Sequence, residues 1–271
     1  MPELPEVETT RLGLIPKIRG ERIEKVLVRN GRLRWPVPKN LPKVLTGQTV
    51  HEIDRRGKYL LWDCGTGFLL CHLGMSGSLR VLPKWQVPET HDHIDITFDN
   101  STVVRYTDPR RFGAMLWIAG RHASHPLLDS LGPEPLSGAF DGAHLFACSR
   151  GRSVSIKEFI MNGHVVVGVG NIYAAESLFL AGIHPSRAAG RLSRVRYERL
   201  AAAIKKTLAN AIAAGGSSLR NYVQADGEPG YFQLNTFVYD CEGKPCRICR
   251  GPIRSMRHGQ RSTYYCPSCQ K

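Results

Sequence analysis

Four cysteines between residues 246 and 269 constrain the fold of this chain more than any other feature. Two Cys-x2-Cys pairs can surround one Zn²⁺ with a tetrahedron of thiolates, and a closed all-cysteine site of this kind is structural, not catalytic. The pattern therefore predicts one structural Zn²⁺ in a small C-terminal module, in preference to four unrelated buried thiols. The predicted ligands are Cys246, Cys249, Cys266 and Cys269.

The net charge narrows the class of partner. The 271 residues include 37 Lys and Arg against 23 Asp and Glu, a balance of +14 at pH 7. This excess favours a polyanionic partner, with nucleic acid ahead of a membrane surface, although a solvated basic surface gives the same count. The first residues lack the apolar core of a signal peptide, and no apolar run reaches the roughly 18 residues of a spanning helix. We therefore expect a cytoplasmic protein with reduced thiols, which favours metal over disulfide at paired cysteines.

Apolar periodicity divides the chain into regions of different structure. Residues 5–19 show the pattern of an amphipathic helix. Between about 22 and 119, short apolar runs alternate with Gly and Asp turns, which predicts many short antiparallel strands in a sandwich or barrel. The segment 120–150 is loop-like. Beyond it, apolar residues repeat every four positions and predict a helix that starts after Ser193 and stops before Gly215.

These regions predict an α+β protein with three domains. An N-terminal antiparallel β-sandwich domain with a leading helix covers residues 1–132, and a helical domain covers 133–234. A four-cysteine zinc finger covers 235–271. The first boundary follows the turn residues Gly132-Pro133-Glu134-Pro135.

The first residues offer an unusual nucleophile. The small residue after Met1 permits removal of the initiator methionine, which leaves Pro2 as a free secondary amine. Such an amine attacking an aldehyde-level carbon gives an iminium that is cationic at any pH and withdraws electrons. Glu3 lies beside it as an acid. A proline at position 2 is common by itself, but together with a basic zinc module it points to covalent chemistry on nucleic acid.

Two internal motifs fit the same interpretation, although each has a plainer structural alternative. Glycines before a predicted helix let the backbone approach a phosphate, and Asn171 in Gly168 to Tyr173 is either the N-cap or a DNA ligand. The segment Tyr106 to Gly113 sets two arginines beside Phe112. Phe112 and Met75 are candidate apolar wedges for an opened base stack, and the arginines offer a cation for the groove. Taken singly, the first motif is more typical of a tight turn, and the second of a core Met and Phe with a surface arginine pair.

Taken together, the motifs resemble the bacterial formamidopyrimidine-DNA glycosylase (Fpg) family over the whole length of the chain. They are Pro2 to Thr9, Lys58-Tyr59-Leu60, His72 to Gly77, Tyr106 to Gly113, Gly168 to Tyr173 and Gly230-Tyr231-Phe232.

The resemblance implies a fold and an activity. Its second domain is a helix–two-turns–helix DNA-binding domain with a lesion-recognition loop, and its third a zinc-finger β-hairpin. The implied protein is a bacterial, nucleoid-associated monomer that acts in base excision repair on duplex DNA with an oxidised base. It is a bifunctional DNA glycosylase/AP lyase for oxidised purines, namely 8-oxoguanine and formamidopyrimidines. The alternatives are an endonuclease VIII-like enzyme for oxidised pyrimidines, whose branch typically has Gly in place of Leu4, and a non-catalytic damaged-DNA binder.

The resemblance also implies the roles of individual residues. Pro2 attacks the sugar C1′ and forms a Schiff base, with Glu3 as its acid/base partner. Lys58 assists β-elimination, and Arg261 clamps a phosphate and serves δ-elimination. The implied DNA-binding residues are His72, Met75, His91, Arg110, Phe112, Arg152, Lys157 and Asn171.

Some positions depart from the family pattern. Asn162-Gly163-His164 differs from its usual residues, and Asp240-Cys241 replaces Gly-Arg after Tyr239. Arg250 replaces a common Gly after the second zinc ligand, so the turn of that knuckle is expected to differ.

Overall fold

The computed structural model describes residues 2–216 and 236–271. Met1 and residues 217–235, which include the Gly230-Tyr231-Phe232 motif, lie outside the described residues. Two compact units are present, unit 1 with residues 2–129 and 214–216, and unit 2 with residues 130–213 and 236–271. Within these ranges, no helix combines the length and the apolar character needed to cross a bilayer.

Unit 1 is an antiparallel β-sandwich with a leading helix. The elements are α1 (Leu4–Ile18), β1 (Ile23–Val28), α2 (Leu41–Leu45), β2 (Glu52–Arg56), β3 (Tyr59–Asp63), β4 (Gly67–His72), β5 (Ser78–Leu82), β6 (Asp92–Phe98), β7 (Val103–Thr107), β8 (Ala114–Ala119) and α3 (Pro126–Asp129). The two four-stranded sheets have the orders β1-β6-β7-β5 and β2-β3-β4-β8, and their inner faces share one apolar core with α1.

The leading helix forms where the periodicity predicts it. The backbone N–H of Glu3 donates to the Glu6 carboxylate at 2.8 Å, which satisfies a donor at the helix start. Val7, Leu14 and Ile18 are buried in the core. The burial of this face stabilises α1 more than its sequence propensity does.

A partly buried ion-pair group fixes α1 on the second sheet. The Glu8 carboxylate pairs with Arg11 on its own helix and with Arg55 on β2, both at 2.7 Å. Burial raises the pKa of Glu8, but the two guanidiniums outweigh it and hold that pKa below its usual value. Arg55 also donates to the Gly57 carbonyl at 3.0 Å. One arginine therefore joins the leading helix to the turn between β2 and β3.

Unit 2 combines helices with a C-terminal β-hairpin. The elements are α4 (Gly142–Ser149), α5 (Ile156–Ile160), α6 (Asn171–Leu180), α7 (Arg194–Ala213), β9 (Arg254–His258) and β10 (Arg261–Tyr265), with a 3-10 turn at Ala189–Arg191. The long helix follows Ser193, as predicted. The loop-like interpretation of 120–150 was wrong in part, because Asp141 caps α4 through the His144 N–H at 2.7 Å.

A buried carboxylate attaches the start of the zinc module to α6. The backbone N–H groups of Phe237, Val238 and Tyr239 all donate to Glu176, at 2.8, 3.0 and 2.9 Å. A small apolar core with Val238 and Ile253 lies beside this attachment. The sandwich, the helices and the hairpin confirm the predicted α+β fold, while the boundaries of the three domains stay a prediction.

Candidate functional site

The proposed nucleophile lies at the start of α1 in unit 1. Pro2 is buried, and Glu3, the N-cap residue, is 2% exposed. The positive end of the α1 helix dipole lies at this pair, which favours a negative charge beside the Pro2 nitrogen. The arrangement supplies an amine and a carboxyl group on adjacent residues.

Lys58 lies in the two-residue turn between β2 and β3. Gly57 precedes it with φ of +57°, a left-handed conformation that suits glycine in a tight hairpin. Because Arg55 holds the Gly57 carbonyl and Glu8 together, the turn and α1 are tied by one side chain. Lys58 therefore has a fixed backbone position relative to the helix that begins after Pro2 and Glu3.

His72 ends β4 beside this turn. Its Nδ1 accepts the Gly74 N–H at 3.0 Å, and its ring lies 4.7 Å from the Tyr59 ring. Burial, together with the charges of Lys58 and Arg34, lowers the pKa of His72 to about 4. His72 is therefore neutral at physiological pH and presents a donor at Nε2.

Replacement of His72 by Asn should remove an acid-sensitive contribution to stability. The folded state holds this imidazole neutral, so its stabilisation is complete above pH 6.5 and is lost as the pH falls towards 4. Relative to His72→Asn, wild type should lose about 2 kcal/mol between pH 7 and pH 5. Urea unfolding followed by tryptophan fluorescence measures this, because all four tryptophans lie in unit 1. A difference between the two proteins that does not change with pH would contradict the assignment.

Two loops of unit 1 carry the predicted apolar wedges. The first wedge loop (73–77) exposes 40% of Met75, and the second wedge loop (109–112) exposes 40% of Phe112. The Arg110 guanidinium stacks on the Phe112 ring at 4.7 Å. The structure thus brings Met75, Arg110 and Phe112 to one exposed region rather than to the core. The predicted DNA contact His91 is also exposed, and its carbonyl accepts the Asp108 N–H at 3.1 Å.

Sequence reasoning missed a basic cavity beside the second wedge loop. Arg32, Arg34, Arg110 and Arg111 line a space of about 360 Å³ together with Leu33 and Phe112. In the described residues, no carboxylate pairs with these four guanidiniums. The Asn-Gly-Arg-Leu-Arg sequence was the available signal, since it adds two cations ahead of a Trp-Pro turn. The cavity is suited to an anionic ligand such as phosphate.

In unit 2 the hairpin presents Arg261 next to its tip. Gly259 and Gln260 form the turn between β9 and β10, and Arg261 is exposed at the first position of β10. Asn171, at the start of α6 after the N-cap Gly170, donates from Nδ2 to the Ser262 carbonyl at 3.1 Å. Its Oδ1 is buried without a hydrogen-bond partner among the described residues. α6 and the Arg261 strand are thereby connected.

Lys157 lies in the interior of unit 2. The side chain is 1% exposed, and its ammonium donates to the Ser262 carbonyl at 3.0 Å and to Thr263 Oγ1 at 2.6 Å. In this arrangement it supports the strand that presents Arg261, and direct contact with DNA stays a prediction. Arg152, by contrast, is exposed as a DNA contact requires.

The four cysteine sulfurs lie within 4.8 Å of one another. The Sγ atoms of Cys246 and Cys269 are 3.9 Å apart, and those of Cys249 and Cys266 are 3.4 Å apart. A tetrahedral site with Zn–S bonds of about 2.3 Å requires sulfur separations of about 3.8 Å. The Gly251 N–H, followed by the other thiols, lowers the pKa of Cys249 to about 7, which favours the thiolate that zinc binds. The cluster therefore fits one structural zinc.

The departures from the family pattern keep a glycine-like backbone. Arg250 has φ of +65° and Asp240 has φ of +56°, both in the left-handed region. Arg250 thus has a conformation that glycine adopts readily, and the expected difference in the knuckle turn stays a prediction. A non-glycine residue in this region carries strain of about 1 kcal/mol or more. The Arg250 N–H donates to the Cys246 carbonyl at 2.9 Å, a contact that the left-handed turn preserves.

Comparison with known proteins supports this geometry across the chain. The N-terminal domain model of formamidopyrimidine-DNA glycosylase matches residues 1–115, and the H2TH domain model of the same enzyme matches 131–223. A zinc finger found in Fpg and isoleucyl-tRNA synthetase matches residues 243–271.

Full-length relatives and solved structures agree with the domain matches. The formamidopyrimidine-DNA glycosylase of Burkholderia thailandensis is 57% identical and that of Methylococcus capsulatus 55%, each over 100% of both chains. The Fpg protein of Thermus thermophilus has a TM-score of 0.89 at 38% identity, covering 99% of this chain and 98% of its own. A Lactococcus lactis Fpg mutant in complex with Fapy-dG DNA has a TM-score of 0.93 at 34% identity, with 100% of both chains covered.

These matches define a zinc-finger DNA-repair glycosylase. The chain belongs to the formamidopyrimidine-DNA glycosylase family, and its four cysteines are the structural zinc site of that family's zinc finger.

Proposed function

We propose that this protein is a bifunctional DNA glycosylase/AP lyase that removes oxidised purines from duplex DNA through a Schiff base on Pro2. The observation that carries the proposal is the connection between the N-terminal pair and Lys58. Arg55 binds Glu8 of α1 at 2.7 Å and the Gly57 carbonyl at 3.0 Å, so the nucleophile, its acid partner and the lysine belong to one rigid assembly. Such preorganisation is what covalent catalysis requires.

Base removal begins once Met1 is absent and Pro2 has a free nitrogen. A free α-amino group has a pKa of roughly 8, so a substantial fraction is unprotonated near neutral pH. The nitrogen lone pair forms a bond to C1′, and the glycosidic bond breaks with its electrons moving to the departing base, which takes up a proton. Glu3 takes the proton that the Pro2 nitrogen loses and passes it to the ring oxygen as the sugar opens, so the iminium remains on Pro2.

Strand cleavage follows from the same iminium. It withdraws electrons from C2′, so a C2′ proton is lost and the C3′–O bond breaks with the phosphate as leaving group. Lys58 assists this β-elimination by stabilising the phosphate charge. The second elimination breaks the C5′–O bond, and Arg261 neutralises that phosphate. The zinc supplies no chemistry to these steps; it holds the hairpin that presents Arg261.

Two observations favour oxidised purines over oxidised pyrimidines. Leu4 stands where the endonuclease VIII branch typically has Gly. Solved Fpg relatives hold Fapy-dG DNA or carbocyclic 8-oxoguanine DNA, and this chain matches them over its full length. We propose the same class of lesion here.

Both units contribute DNA-binding side chains in this proposal. Met75 and Phe112 fill the gap left by the flipped nucleotide, and Arg110 accompanies them as a cation. His72 donates from its neutral ring, and the exposed His91 and Arg152 contact the backbone. Arg32 and Arg34 extend the same basic surface. Each phosphate contact adds affinity without choosing a sequence.

Borohydride trapping tests the proposed function directly. Wild-type protein with intact Pro2 at its N-terminus is incubated with duplexes that contain either 8-oxoguanine or an oxidised pyrimidine. We expect a covalent adduct and strand cleavage, with the 8-oxoguanine duplex strongly preferred. Preference for the pyrimidine duplex would support the endonuclease VIII-like alternative. Tight binding of both duplexes without any adduct would support a non-catalytic damage binder.

Replacement of Arg261 by Ala should reduce the salt dependence of DNA binding. The slope of log K against log salt should fall by about 0.9, because one phosphate contact is lost. Strand cleavage should weaken, while lesion preference and zinc content should persist. Arg257, opposite Ser262 in the hairpin, provides the matched control, and Arg257→Ala should leave the slope unchanged. An unchanged slope for Arg261→Ala, with a reduced one for Arg257→Ala, would transfer the role to Arg257.

A further inference from the structure

A buried carboxylate joins the two wedge loops. Asp108 has no solvent exposure, and its Oδ1 accepts the Ser76 hydroxyl of the first wedge loop at 2.9 Å. Its Oδ2 accepts the Tyr106 hydroxyl at 3.0 Å and the Gly113 N–H at 2.9 Å. The Arg110 N–H lies 3.3 Å from both Oδ1 and the Ser76 hydroxyl oxygen. One side chain therefore accepts hydrogen bonds from both loops.

The backbones of the loops are also in close contact. A Cβ on Gly74 would lie 2.5 Å from the Gly113 nitrogen and from the Phe112 carbonyl carbon. A Cβ on Gly113 would lie 1.8 Å from the Tyr106 hydroxyl oxygen, the same hydroxyl that binds Asp108. Only glycine fits at these positions. Met75 and Phe112, each adjacent to one of these glycines, are thus held side by side.

The second wedge loop adopts a strained turn that its surroundings hold in place. Arg111 has φ of +56°, which is uncommon for a residue with a side chain. Its N–H donates to the Asp108 carbonyl at 3.1 Å, and its carbonyl accepts the Arg34 N–H at 2.8 Å. The His93 ring nitrogen contacts the same Asp108 carbonyl at 2.9 Å. Backbone strain of this kind persists where neighbouring contacts determine the conformation, and it clusters at functional sites.

We infer that Asp108 is a positioning residue that holds the first and second wedge loops together as a single preformed wedge. The inference rests on the proposed function, because it assigns Asp108 to base extrusion and not to the chemistry at Pro2. Two independent loops would each have to be ordered during binding, whereas a preformed pair enters the base stack without that entropic cost. The benefit is greatest when the base to be extruded is still stacked.

The Ser76→Ala variant separates positioning from folding. It removes the hydroxyl that links the first wedge loop to Asp108 and leaves the Tyr106 and Gly113 contacts intact. We expect excision of 8-oxoguanine from a fully paired duplex to fall about tenfold, the scale of one lost hydrogen bond to a charged group. Cleavage of a duplex with a preformed abasic site, where no base is extruded, should change less than twofold.

Three further variants complete the test. Asp108→Ala should lose more on the paired duplex than Ser76→Ala. Asp108→Asn should retain activity within about threefold, because its oxygen still accepts from Tyr106 and Gly113 while its NH2 donates to Ser76. Thr66→Ala is the matched control. Thr66 immediately precedes β4, at the end of the strand away from the first wedge loop, and its hydroxyl accepts a 2.8 Å hydrogen bond from Gln48. Loss of this bond should change the activity on neither substrate.

The two substrates also distinguish this inference from the proposed function. Equal losses of Ser76→Ala on the paired and abasic duplexes would overturn the positioning role, as would full activity on both. A wild-type protein that forms no borohydride adduct with either duplex would overturn the proposed function itself. A wild-type adduct with both duplexes, combined with a selective Ser76→Ala defect on the paired one, supports both.

Discussion

A protein with a peptide extension in front of Pro2 should form no borohydride-stable adduct with lesion-containing DNA. The extension converts the secondary amine into an amide, whose lone pair is delocalised into the carbonyl and no longer attacks carbon. Excision should fall at least about 10⁴-fold, the scale observed when a covalent nucleophile is removed. Duplex binding should be retained, because the wedge loops and Arg261 are unchanged. Gel detection of the adduct with an 8-oxoguanine duplex measures the effect.

The matched control carries the same peptide at the C-terminus and should trap DNA as wild type does. This design is cleaner than Pro2→Gly, which leaves a primary amine that can still form a Schiff base. A strong adduct from the N-terminally extended protein, mapped by peptide analysis to Lys58, would move the nucleophile from Pro2 to the lysine. Glu3→Gln in the processed protein should slow base removal without preventing trapping at a preformed abasic site.

The elements predicted correctly from the sequence are those with strong local patterns. The leading helix repeats its apolar residues with helical spacing, and the cysteine quartet has the spacing of a zinc site, so neither depends on distant contacts. The helix α4 was missed because it has only eight residues, and the Asp141 cap lies inside a segment rich in glycine and polar residues. Short helices of this kind depend on packing more than on periodicity.

The positions of the buried charged residues depend on partners far along the chain. Lys157 was predicted to contact DNA, but its ammonium binds Ser262 and Thr263, more than 100 residues later. In the sequence Glu176 is an ordinary acidic residue of a helix. In the structure it accepts hydrogen bonds from three backbone N–H groups of the zinc module. Asp108 is similar, since its partner Ser76 lies 32 residues earlier. Buried polar groups require partners, but the sequence does not identify which segment supplies them.

Arg250 is a position where the residue type does not determine the backbone conformation. The replacement of a common glycine suggested a different turn, yet Arg250 adopts φ of +65°. The Cys246 N–H to Gly251 carbonyl bond at 2.8 Å and the convergence of four sulfurs determine this turn. The local preference of arginine is too weak to compete with these contacts.

Substitution of Cys249 by Ser should abolish zinc binding and unfold the hairpin. Structural zinc in an all-cysteine module contributes about 10–16 kcal/mol at pH 7, more than a small domain's whole stability. The module's own apolar core is small, with Val238 and Ile253 beside two of the ligands, so it cannot hold the hairpin without metal. Cys249 is exposed, and serine is close in size, so the loss reports the metal and not altered packing.

Independent readouts locate this effect within the chain. Metal analysis should find no zinc, and protease should cleave within residues 236–271. Tryptophan fluorescence should stay unchanged, since all four tryptophans lie in unit 1. Affinity for DNA should fall because Arg261 loses its rigid strand. The neighbouring Arg250→Gly substitution is the control; it relieves a left-handed backbone, so zinc and the hairpin should persist with greater resistance to chelators. A Cys249→Ser protein with one zinc and wild-type DNA affinity would contradict the role of the quartet.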